Sequence, residues 1–72
     1  MQENIENYLN DIAKNFKLLR KKSGLTQEQL AEKLDCSREF INRIENRKEN
    51  LSLKMLLMFS IALNIHPKDI FD

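Results

Sequence analysis

Arg38, Glu39, Asn42 and Arg43 carry side chains that can bond a polar ligand through charge and paired hydrogen bonds. Residues 38 and 42 are four apart, as are 39 and 43, so on a helix the four side chains form one contiguous patch. Each is a type that reads base edges. Arginine pairs bidentately with guanine, asparagine pairs with adenine, and glutamate accepts from the cytosine amino group, each good pair giving about 1–3 kcal/mol of discrimination. The same residues would also suit a plain solvated helix face, and the local pattern leaves both readings open.

Catalytic chemistry has fewer footholds. The sequence holds one cysteine and one histidine, no glycine-rich phosphate loop and no metal-ligand spacing. Neither an enzyme nor a cofactor or metal site is therefore expected, and no small-molecule ligand is evident. A lone cysteine forms no internal disulfide, which points to a reducing setting, the cytoplasm. The start, "MQENIENYLNDIAK", is acidic and amphipathic, unlike a secretory signal, and the longest uncharged stretch, "MLLMFSIALNIHP", is too short to cross a membrane.

Charge is unevenly placed. Residues 14 to 48 carry ten Lys or Arg against five Asp or Glu, while residues 1 to 13 sum to −3 and residues 49 to 72 to −1. A basic middle between acidic ends fits one face turned toward a polyanion.

The elements that must position the patch can be read from periodicity. With 72 residues, one glycine and one proline, the chain reads as a single, nearly all-helical domain with a thin core. Ile5, Tyr8, Leu9, Ile12, Phe16 and Leu19 share one helix face and predict a first helix over about residues 5–22, stopped by Gly24. Thr26 with Gln29 is a capping box that opens a second helix over about 27–34, with Leu30, Ala31 and Leu34 inward. Ser37 caps a third over about 38–46, fastened by Ile41 and Ile44. Ser52 opens a fourth over about 53–64, and Pro67 begins a short fifth over about 67–71. The second and third helices form a tight pair with small Ala31 on the inner side, the helix-turn-helix plan.

The stretch "GLTQEQLAEKL" followed by "SREFINRIEN" resembles the Cro and phage-repressor (XRE-type) helix-turn-helix family, and the likeness runs over about residues 16 to 71. It implies an all-α, five-helix, lambda-repressor-like fold. It also implies a sequence-specific transcriptional regulator, of the repressor or restriction-controller kind, that binds double-stranded DNA as a homodimer on a two-fold related operator. In that register Arg38, Glu39, Asn42 and Arg43 are the base readers. Thr26, Gln27, Ser37, Asn46, Arg47 and Lys48 fall at backbone-contacting places, and Gln27 also braces a reading side chain. Arg20 and Glu45 take positions that commonly pair to tie the first helix to the third. Asp35 and Arg47 depart from the family pattern where glycine is usual, and Leu51 where proline is frequent.

One surface is not required by the family pattern. Met55, Met58 and Ile61 replace commonly polar residues, while Leu53, Leu56, Leu57, Ala62 and Leu63 supply an inward face. A helix apolar nearly all round implies burial against something else, and the expectation is a homodimer interface of Met55, Met58, Ile61, Ile65 and Phe71. Methionine as core filler is the alternative. A partner-binding protein module, antitoxin-like and using this stripe, is the competing function; it would favour a neutral or acidic third-helix face.

Overall fold

A computed structural model describes residues 3–72 and contains four α-helices and one 3-10 helix: α1 Glu3–Lys22, α2 Gln27–Lys33, α3 Arg38–Glu45, α4 Leu53–Leu63, and the 3-10 helix Pro67–Phe71. No strand occurs among the described residues. The expected count of five α-helices is not met. Five residues from Pro67 on make only the tighter i→i+3 turn, begun by Pro67 and by a capping pair in which His66 Nδ1 accepts from the Lys68 N–H at 3.0 Å.

Each start has a local cause. Thr26 Oγ1 accepts from the Gln29 N–H at 3.0 Å, and the Gln29 side chain accepts from the Thr26 N–H at 2.9 Å. Ser37 and Ser52 cap α3 and α4 through the N–H groups of Phe40 and Met55; losing such a cap typically costs about 1 kcal/mol. Left-handed residues make the stops and turns: Gly24 after α1, Asp35 between α2 and α3, Arg47 after α3, and Asn64 at the end of α4.

The core joins Phe16 of α1, Leu30, Ala31 and Leu34 of α2 and its cap, Ile41 and Ile44 of α3, Leu56 and Phe59 of α4, and Ile70. Phe16 and Phe59 stack with ring centroids 4.3 Å apart, and Asn15 Nδ2 donates to the Ile70 carbonyl at 2.8 Å, holding the chain's last turn against α1. Cys36 packs half-buried on this core. Burial, and then the neighbouring Asp35 carboxylate, push its thiol pKa up.

Three expectations about facing are corrected. Ile5 and Tyr8, grouped on one helix face with Ile12, Phe16 and Leu19, are exposed, because they lie in the first turns of a 20-residue helix whose packed residues begin further along. On α4, Leu53 and Leu57 are exposed whereas Met55 and Met58 are half-buried against the core. The helix is rotated so that Leu56, Phe59 and Ser60 face inward, which turns 53, 57 and 61 outward at i, i+4 and i+8. Ile65 also packs on the core. Only Ile61 and Phe71 of the five residues expected at the interface are exposed, Ile61 at 79%.

Candidate nucleic-acid interface

The site begins with how α3 is held. Ile41 and Ile44 are fully or nearly fully buried, and the helix ends in a buried ion pair. Arg20 donates from Nε to Glu45 Oε2 at 2.6 Å and from Nη2 to Oε1 at 3.1 Å, with side-chain exposures of 7% and 1%. Arg20 Nη1 also donates to the Leu25 carbonyl at 2.7 Å, so the guanidinium ties α1, the turn before α2 and the end of α3 into one rigid corner. The bidentate geometry and the third bond offset the desolvation of two buried charges.

From this corner a polar chain runs to the reading face. Gln27 Nε2 donates to Glu45 Oε1 at 3.0 Å, leaving Gln27 Oε1 to accept a long 3.5 Å contact from Asn42 Nδ2. Asn46 Nδ2 donates to the Asn42 carbonyl and to its Oδ1 at 2.9 and 3.1 Å. Asn42 is thus oriented from two sides before any ligand arrives.

Arg38, Glu39, Asn42 and Arg43 are all exposed and lie on the side of α3 opposite Ile41 and Ile44. Arg38 and Glu39 have no side-chain partner among the described residues. Arg43 has two: its Nη2 lies 3.3 Å from the Lys48 carbonyl and 3.6 Å from Glu49 Oε1. Thr26, Ser37, Asn46 and Lys48 are exposed and Gln27 is half-buried, with Gln27 and Asn46 in contact with Asn42 of the patch.

Arg47, expected at a backbone-contacting place, bonds to residues of this chain. Its guanidinium donates to Asn10 Oδ1 at 2.9 Å, Asn50 Oδ1 at 3.0 Å and Glu6 Oε1 at 2.7 Å. The left-handed backbone at Arg47, φ 62°, sends its side chain to the acidic first half of α1, and each guanidinium nitrogen has a partner, two of them on α1 and one, Asn50, in the loop. Sequence reasoning missed this clamp and the Glu49 contact for one reason. Both depend on a left-handed turn that glycine would have advertised and arginine conceals.

Two short helices joined by the four residues Leu34 to Ser37, with the second helix presented, define a helix-turn-helix protein. A helix-turn-helix family model matches residues 16–70, and the chain belongs to that family, the Cro and phage-repressor type that its sequence resembles. Among curated proteins it is similar to control protein C.BamHI of Bacillus amyloliquefaciens, 41% identical over 51 residues, covering 71% of this chain and 63% of that protein. It is also similar to control protein C.MunI of a Mycoplasma species, 37% identical over 69 residues, covering 89% of this chain and 93% of that protein. Among solved structures it resembles the restriction-modification controller protein C.AhdI from Aeromonas hydrophila, with a TM-score of 0.81, 32% identity and coverage of 88% and 96%. The match to C.BamHI therefore spans less than two thirds of that relative's length.

Proposed function

We propose that the chain is a sequence-specific DNA-binding transcriptional regulator of the restriction-modification controller kind. The observation that carries this reading is a polar face held rigidly from behind: Ile41, Ile44 and the Arg20–Glu45 pair fix α3, and Arg38, Glu39, Asn42 and Arg43 project from it together. An α-helix so presented fits the major groove and reads base edges. Thr26, Gln27, Ser37, Asn46 and Lys48 contact phosphates, which set affinity and register rather than sequence choice. Arg47 is left out of that set because Glu6, Asn10 and Asn50 occupy its guanidinium.

The regulator acts as a homodimer, paired through the α4 stripe of Leu53, Leu57 and Ile61, since three exposed apolar side chains on one helix face gain most from mutual burial. Promoter occupancy in living cells tests the function. The chain is expected at sites beside the genes of a restriction endonuclease or its companion methyltransferase; occupancy spread without preference over the genome would contradict it.

A further inference from the structure

The loop after α3 folds back on the reading face. The left-handed turn at Arg47 lets the N–H groups of Lys48 and Glu49 both donate to the Arg43 carbonyl, at 2.8 and 3.2 Å. These bonds fix the Glu49 backbone beside Arg43, and the Glu49 carboxylate stands 3.6 Å from Arg43 Nη2. No other reader is treated this way. Asn42 is held by neutral amides, and Arg38 and Glu39 have no side-chain partner among the described residues.

We infer that Glu49 is an intramolecular competitor for Arg43 and lowers the affinity of the chain for its matched DNA site through that one side chain. The inference rests on the reading of α3 as the base-reading helix. A carboxylate and the O6/N7 edge of guanine each offer two acceptors to the same guanidinium fork, so Arg43 serves one or the other. Both side chains are about half exposed, which makes the pair weak enough for guanine to displace. Where the base pair offers no guanine, Arg43 stays with Glu49 and nothing is lost. The cost therefore falls on the matched site alone. Glu49 also repels phosphate generally, and that effect is separable because it acts on every sequence alike.

The test uses four proteins: wild type, E49Q, R43A and the double variant. Their Kd values are measured by fluorescence anisotropy on the duplex that wild type selects from random DNA, and on the same duplex with the Arg43-dependent base pair changed. E49Q is expected to tighten binding to the matched duplex roughly two- to fivefold more than to the changed one, and this excess is expected to vanish in the R43A background. An equal gain on both duplexes, or an excess that survives R43A, would overturn the competition. Failure of wild type to select any site would overturn the base-reading assignment and this inference with it. A selected site on which E49Q changes nothing would overturn this inference alone.

Discussion

Arg43 and Lys48 face the same proposed ligand with different duties, and the difference is measurable residue by residue. In the proposed reading Arg43, in the last turn of α3, reads a base, whereas Lys48, in the loop that follows, meets a phosphate. R43A is expected to relax base preference at one position, whereas K48A weakens all sequences alike and lowers the salt slope by about one. Equal behaviour of the two variants in binding titrations would refute this division. Behind the face, Arg20 belongs to the fold. R20A leaves Glu45 buried and unpaired at 1% exposure, so a loss of about 3–5 kcal/mol is expected in urea denaturation, a large part of what a 72-residue domain possesses. Cys36 behaves as a core residue. Its raised pKa keeps the thiol neutral, so alkylation at neutral pH is expected to be slower than that of a free cysteine. Because its folded-state value lies above the reference of 9.0, its contribution to stability is present in full below about pH 9 and is lost as pH rises through the folded value.

At the scale of elements, the turn residues decide how helices meet. Asp35 adopts φ 56° between α2 and α3, a left-handed conformation that aspartate tolerates and glycine adopts freely. D35G is expected to stabilise the fold by about 0.5–1 kcal/mol in thermal or urea unfolding; destabilisation would show that the Asp35 side chain supports the turn. Helix starts were legible because caps are local chemistry: Thr26, Gln29, Ser37 and Ser52 each act on a backbone group three residues away. The side of α3 that is buried was legible from Ile41 and Ile44. The rotation of α4 was not, because with ten of its eleven residues apolar or small the helix has no polar stripe to mark its outer face. The helix-turn-helix pairing could be read from spacing, but the destination of Arg47 and the approach of Glu49 to Arg43 arise from a single backbone angle, which no periodicity records.

The whole molecule measures 36 × 24 × 20 Å and carries one α3, so under the proposed function one copy addresses one major groove. Two successive grooves on one side of a duplex lie about 34 Å apart, and only a two-fold pair of chains can reach both. With Leu53, Leu57 and Ile61 as the pairing stripe, L57E or I61K is expected to give monomers in sedimentation while leaving the helical content intact. M58K should instead destabilise the fold, since Met58 packs on the core. Monomeric behaviour of M58K with a dimeric, unaffected I61K would move the interface off the stripe. Base reading by α3 is tested by selection of binding sites from random DNA at a fixed salt concentration. An enriched, two-fold symmetric site is expected, with half-sites about one helical turn apart and enrichment lost in R43A and N42A. Recovery of no common sequence, with equal binding to all duplexes, would contradict base reading by α3.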